Sequence, residues 1–187
     1  MVMIEVEFKF PVDSLDAVRK KCMQMGATVG ETSVQSDEYI NDPVRDFAKQ
    51  DKALRIRTDN GKPFLTFKGP NLDPTAKIRQ EIEMPLGDEA AAEQIKGVFL
   101  GIGFFSVAKV CKRRETLELN WQDTMVHVCL DDVEEVGGFV ELELVVEDDG
   151  NIEQAKNLLN SLADALSLSG SIRTSYLELL LKNRGML

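Results

Sequence analysis

Ile4-Glu5-Val6-Glu7-Phe8-Lys9-Phe10 decides the fold class, because it alternates strictly. In an extended strand Ile4, Val6, Phe8 and Phe10 face one side, and Glu5, Glu7 and Lys9 the other. Pro11 ends the strand, since it brings no N–H to a ladder. The same period of two returns in Ala53-Leu54-Arg55-Ile56-Arg57, Pro63-Phe64-Leu65-Thr66-Phe67-Lys68 and Lys77-Ile78-Arg79-Gln80-Glu81-Ile82-Glu83. Asp59-Asn60-Gly61 supplies a hairpin turn between the run ending at Arg57 and the run starting at Pro63. Strand-like patterns over 107–119, 124–131 and 139–147 complete an antiparallel series, and Gly69-Pro70 to Pro74 reads as a loop.

Helices interrupt the strands. Asp13 or Ser14 is placed to cap a helix carrying Leu15, Val18, Cys22 and Met25 on one face, with Gly26 closing it. Asp88 is placed to cap a second over 89–101, with Ala92, Ile95 and Phe99 inward. Asn151 opens an amphipathic helix with Ala155, Leu158, Leu159, Leu162 and Leu166, and a last helix over about 174–183 carries Tyr176, Leu179 and Leu180. The class is α+β.

The informative feature is which charges share a face. Glu5, Glu7 and Lys9; Arg55 and Arg57; Lys77, Arg79, Glu81 and Glu83; Lys112 and Arg114; His127 and Asp131; Glu141 and Glu143 all stand at i and i+2, and Lys68 joins them. Two architectures fit. One is an ordinary sheet with its charged face in water. The other is a closed or nearly closed barrel with helices outside and charges lining the lumen. A charged lumen must hold paired ions, water and a charged ligand, because unpaired buried charge is costly. Its Arg and Lys suit phosphate oxygens. Its carboxylates suit Mg²⁺ or Mn²⁺. Alternation alone leaves both architectures open.

The 187 residues predict a single domain, 1–187. The formal charge is −10, from 22 Lys and Arg against 32 Asp and Glu. Residues 131–153 hold ten of the carboxylates and no Lys or Arg, so the excess is local. An acidic chain is a poor general binder of nucleic acid or anionic membrane, yet a local basic site for a small polyphosphate is compatible with it. No apolar run reaches membrane-spanning length and no signal peptide is visible. Cys22, Cys111 and Cys129 are widely spaced, as reduced core or strand thiols of a cytoplasmic protein would be. The phosphate-loop pattern, the dinucleotide fingerprint and the nucleophile elbow are missing. The lone His127 cannot build a His-based zinc site, and Trp121 reads as a packing anchor.

Glu5-Val6-Glu7-Phe8-Lys9 is an E-x-E-x-K signature. Together with Ala53–Arg57, Leu65-Thr66-Phe67-Lys68-Gly69-Pro70, Arg79-Gln80-Glu81-Ile82-Glu83, Lys112-Arg113-Arg114, Leu130-Asp131 and Gly138-Phe139-Val140-Glu141-Leu142-Glu143, it resembles the CYTH superfamily, the triphosphate tunnel metalloenzymes. These matches follow in order from Ile4 to about Leu180 and favour the tunnel over the solvated sheet. Arg45-Asp46-Phe47-Ala48-Lys49-Gln50-Asp51-Lys52 leading into Ala53–Arg57 looks most like the class IV adenylyl cyclase branch.

The resemblance implies an eight-stranded antiparallel tunnel with flanking helices. It implies Mg²⁺ or Mn²⁺ on Glu5, Glu7, Glu141 and Glu143, with Glu81, Glu83 and Asp131 nearby. It implies a nucleoside or inorganic triphosphate on Lys9, Arg55, Arg57, Lys68, Arg79, Lys112 and Arg114, of which Lys9, Lys112 and Arg114 are the catalytic candidates. The expected activity is conversion of ATP to cyclic AMP and pyrophosphate. The alternatives are a metal-dependent triphosphatase, acting on inorganic, nucleoside or thiamine triphosphate, and a non-enzymatic polyphosphate or nucleotide binder. No nucleic-acid or membrane partner is expected, and a homodimer is compatible with this reading.

Overall fold

The computed structural model describes residues 4–71, 77–146 and 151–187. Its strands are β1 (Ile4–Pro11), β2 (Thr28–Asn41), β3 (Ala53–Asp59), β4 (Lys62–Lys68), β5 (Lys77–Arg79), β6 (Glu81–Pro85), β7 (Phe105–Trp121), β8 (Thr124–Val133) and β9 (Gly137–Val146). The helices are α1 (Leu15–Gln24), α2 (Glu89–Gly101), α3 (Ile152–Leu166) and α4 (Tyr176–Asn183). The expected ends of the 69–74 loop and of the 139–147 strand lie outside the described residues.

Every pairing is antiparallel, in the order β5-β1-β9-β8-β7-β2-β3-β4-β6. The 77–85 run serves both ends of this order. Its first part pairs with β1 (Glu5 opposite Arg79) and its second with β4 (Lys68 opposite Glu81), and the change of partner falls at Gln80. Counted as one run, it makes the sheet eight-stranded, as expected. The sheet is nevertheless curled and not a fully closed barrel, because one run that must serve two opposite edges cannot keep a continuous ladder.

Local chemistry explains the elements. The Ser14 side chain accepts from Ala17 N to start α1, and Asp88 accepts from Ala91 N to start α2. Asn60 and Gly61 both take positive φ, 46° and 80°, as the two-residue β3–β4 hairpin requires. β2, over Thr28–Asn41, is a strand that the alternation did not announce, and its first stretch pairs with β7 through an irregularity between Val29 and Thr32.

The apolar strand face is covered by helices. Val6, Phe8, Leu117, Val128 and Leu142 pack with Val18 and Cys22 of α1 and with Leu159, Leu162 and Leu166 of α3. On the other side Ile40, Leu54 and Ile56 meet Ala92, with Ile95 and Phe99 of α2 against them. Trp121 packs on the first cluster and donates from Nε1 to Ser161 Oγ at 2.8 Å. The three cysteines are free, and Cys22 and Cys129 are buried. No helix among the described residues is long and apolar enough to cross a membrane. With its apolar face committed to helices, the sheet turns its charged face into the curl.

Candidate active site

The curl encloses a cavity of about 890 Å³. Glu5, Glu7 and Lys9 reach it from β1, Arg55 and Arg57 from β3, Lys68 from β4, and Arg79 from β5. Glu81 and Glu83 come from β6, Lys112 and Arg114 from β7, and Glu141 and Glu143 from β9. All the expected site residues therefore line one cavity except Asp131. That residue is fully buried behind the wall, where it accepts from Lys112 Nζ at 2.9 Å, Arg114 Nε at 2.7 Å and the Tyr176 hydroxyl at 2.8 Å. His127 is exposed and is not among the lining residues.

The acidic side is dense. Glu7 stands directly opposite Glu143, and Lys9 opposite Glu141, across the β1–β9 ladder. Glu7, Glu141 and Glu143 each offer a carboxylate oxygen, all within 4.8 Å of one another. Burial, then the charges of Glu143, Glu7 and Glu81, push the Glu5 carboxyl up to about 8. Burial also raises Glu143, against the opposing pull of Arg114. An all-oxygen donor set in a site crowded with negative charge is what a hard divalent cation requires. The residues present fit such an ion.

Arg114 is the internal cation of this cluster. Its guanidinium donates to Asp131, to Glu141, and to Glu143 Oε1 at 2.9 Å. Burial disfavours its charge, but Glu143, Glu141 and Asp131 more than compensate and raise its affinity for the proton. Lys9 Nζ donates to Thr174 O at 3.1 Å, lies 3.3 Å from Glu141 Oε1 and sits 3.9 Å from the Tyr176 ring centroid.

On the other wall, Arg55 and Arg57 are gathered by Asp37 of β2. Lys68 is paired with Glu81, while burial and the nearby Arg55 lower its proton affinity. Arg79 reaches Asp51 Oδ1 at 3.3 Å. Two buried donors, Arg55 Nε and Arg79 Nε, have no hydrogen-bond partner among the described residues. Orphaned guanidinium donors at a cavity wall are complementary to an anion with several acceptor oxygens.

Sequence reasoning missed Asp37, Tyr39, Asp51 and the site role of Tyr176. The mouth residues Lys49, Lys52 and Arg173, which also line the cavity, escaped it too. For Asp37 a signal existed, since Gln35, Asp37 and Tyr39 stand at i and i+2. Ser36 and Glu38 are polar as well, so that strand shows no apolar face to mark the period.

The CYTH domain family model matches residues 3–176. A Methanocaldococcus jannaschii protein named "putative adenylate cyclase" is 35% identical over 179 residues, which are 95% of this chain and 98% of that protein. An Aeromonas hydrophila protein named adenylate cyclase is 27% identical over 170 residues, covering 89% of this chain and 82% of the relative. Among solved structures, a Pyrococcus horikoshii protein superposes with a TM-score of 0.85 at 35% identity, over 96% of this chain and 99% of the other. A Hippeastrum protein described as a "putative adenylyl cyclase" with a dominant triphosphatase activity shares the fold, with a TM-score of 0.67 at 19% identity, over 99% and 97% of the two chains.

Proposed function

The chain belongs to the CYTH domain family, and from that premise we propose that it is a divalent-metal-dependent enzyme acting on a triphosphate inside the curled sheet. The reading placed first is a class IV-type adenylyl cyclase, forming cyclic AMP and pyrophosphate from ATP. The single observation that carries the metal-and-triphosphate reading is the convergence of seven Lys and Arg and six Glu of the expected set on one cavity. The name of the M. jannaschii relative, similar over almost the whole chain, supports the cyclase activity.

In this mechanism Arg55, Arg57, Lys68 and Arg79 bind phosphate oxygens from one wall, and Lys9, Lys112 and Arg114 from the other. Arg55 Nε and Arg79 Nε acquire the acceptors they lack. Glu7, Glu141 and Glu143, with Glu5 beside them, hold Mg²⁺ or Mn²⁺, which when bound neutralises charge on the phosphates. Cyclisation forms a bond from the ribose 3′-oxygen to the α-phosphorus and breaks the bond to the β-phosphate bridging oxygen. Pyrophosphate leaves with that electron pair, and the 3′-hydroxyl proton passes to a base. Fixed cations placed where charge builds up on the leaving group lower the barrier without reorganising.

A second reading, a triphosphatase in which water attacks the terminal phosphorus, is favoured by one feature. Among the described residues the aromatic rings lining the cavity are Tyr39 and Tyr176, and Tyr176 is committed to Asp131 and Lys9, which leaves little there to recognise a nucleobase. Product analysis separates the two. ATP and inorganic triphosphate are each supplied with Mg²⁺ and with Mn²⁺, and cyclic AMP, pyrophosphate and phosphate are quantified. Cyclic AMP with equimolar pyrophosphate supports the cyclase. Phosphate from both substrates without cyclic AMP replaces it by the triphosphatase.

A further inference from the structure

We infer that Asp37 is a positioning residue that holds Arg55 and Arg57 as one preformed fork for the phosphate chain, an inference that rests on the triphosphate reading of the cavity. Asp37 stands on β2 directly opposite Arg57 of β3, and the next pair along the same face is Tyr39 opposite Arg55. One carboxylate therefore lies within reach of both guanidiniums. Arg57 grips it with two parallel bonds, Nε to Oδ1 at 2.7 Å and a terminal nitrogen to Oδ2 at 2.8 Å. Arg55 adds a third, to Oδ2 at 3.0 Å.

Asp37 is 3% exposed and does not line the cavity, whereas both arginines do. Burial works against its charge, but Arg55 and the bond from Arg57 outweigh burial and keep the carboxyl below its ordinary range. It stays ionised throughout the working pH range. The pair is not built for stability alone. A closed structural ion pair satisfies its donors, yet Arg55 keeps a buried Nε without a partner among the described residues. Two cations against one carboxylate also leave the fork with net positive charge.

The opposite wall repeats the arrangement. Asp131 on β8 accepts from Lys112 and Arg114, the other i, i+2 basic pair, and like Asp37 it is a buried aspartate on a strand beside them. A fork held before the ligand arrives points its remaining donors along fixed directions, so they meet the charge that builds up in the transition state without reorganising. Without Asp37 two like charges separate and turn independently. Their attraction for a polyanion survives, but their orientation does not.

The test uses D37N, which keeps shape and removes the charge. With triphosphate substrate and metal, kcat is expected to fall roughly 10- to 100-fold, with KM unchanged or lower and a calorimetric stoichiometry near one. Loss of folded protein would lower the stoichiometry, so a merely structural role does not give this pattern. D37E, which keeps the charge, is expected to recover part of kcat. A D37N kcat within twofold of wild type, or a rise in KM larger than the fall in kcat, overturns the proposal. The wild-type protein without ligand supplies the independent measurement, because arginine side-chain ¹⁵N relaxation needs neither turnover nor a variant. Restricted Nε–H motion at Arg55 and Arg57, against free motion at the exposed Arg113, is expected, and free motion at both overturns the fork even if D37N does not fold. Absence of turnover by wild type on every triphosphate counts against the functional reading and leaves the relaxation result to decide the fork.

Discussion

Glu7 and Glu143 face each other as direct cross-strand partners in the β1–β9 ladder. Like charges in that relationship destabilise a sheet. Their carboxylates, with that of Glu141, form the acidic group suited to a cation. Glu7→Gln relieves the repulsion and removes one donor. Without metal its melting temperature should equal or exceed that of wild type, while stabilisation by Mn²⁺ is lost and activity falls at least 100-fold. Melts with and without Mn²⁺ check this, and retained metal stabilisation contradicts it.

The acidic cluster also sets a pH dependence. Glu5 titrates near 8 when folded against 4.5 ordinarily. Between those values the folded state holds a proton that the unfolded state has released. Glu5 therefore contributes stability that is complete below 4.5 and lost as pH rises through about 8. Glu143 acts in the same direction. Metal must displace that proton, so metal affinity should increase from pH 6 to 8 by up to about tenfold per unit. Calorimetry in buffers of different ionisation heat should show proton release on binding. Pushed down in the folded state, Asp37 and Asp131 give the opposite sign, losing their contribution only as acid takes the pH below the ordinary carboxylate range.

Arg114 carries the same argument into stability. Arg114→Ala leaves Asp131, Glu141 and Glu143 without the cation they share. Breaking a buried ion pair from one side costs about 3–5 kcal/mol. Denaturant unfolding without metal should show a loss of that order, and Mn²⁺ should restore part of it by neutralising the same carboxylates.

The phosphate wall makes a different prediction. Arg57→Ala should weaken inorganic triphosphate binding far more than orthophosphate binding, because a clamp acts on several phosphates at once. Equal small losses in a calorimetric titration would indicate a generally charged surface.

Much of this site was legible because strand alternation projects charges onto one face. Glu5, Glu7 and Lys9 declared themselves through the apolar residues between them. Asp37 did not, since its neighbours Ser36 and Glu38 are also polar and the period was hidden. The change of partner at Gln80 was equally invisible, because both halves of 77–83 alternate normally and only the curl of the sheet decides which edge each half joins. Tyr176 read as the apolar face of a helix, and it does pack with Phe139. Its hydroxyl bond to Asp131 depends on where α4 meets the sheet, a long-range fact that local pattern does not carry.

The most direct test of the central claim is a thermal melt with inorganic triphosphate and Mn²⁺ together, each alone, and sulfate at matched ionic strength. A ligand that binds only the folded state adds about 2.7 kcal/mol at a hundredfold excess over its Kd. For a chain of this length that corresponds to a shift of about 7 °C. A shift of that order requiring both components is expected, since the lysines and arginines need the anion and the glutamates the cation. A shift no larger than that given by sulfate would contradict it.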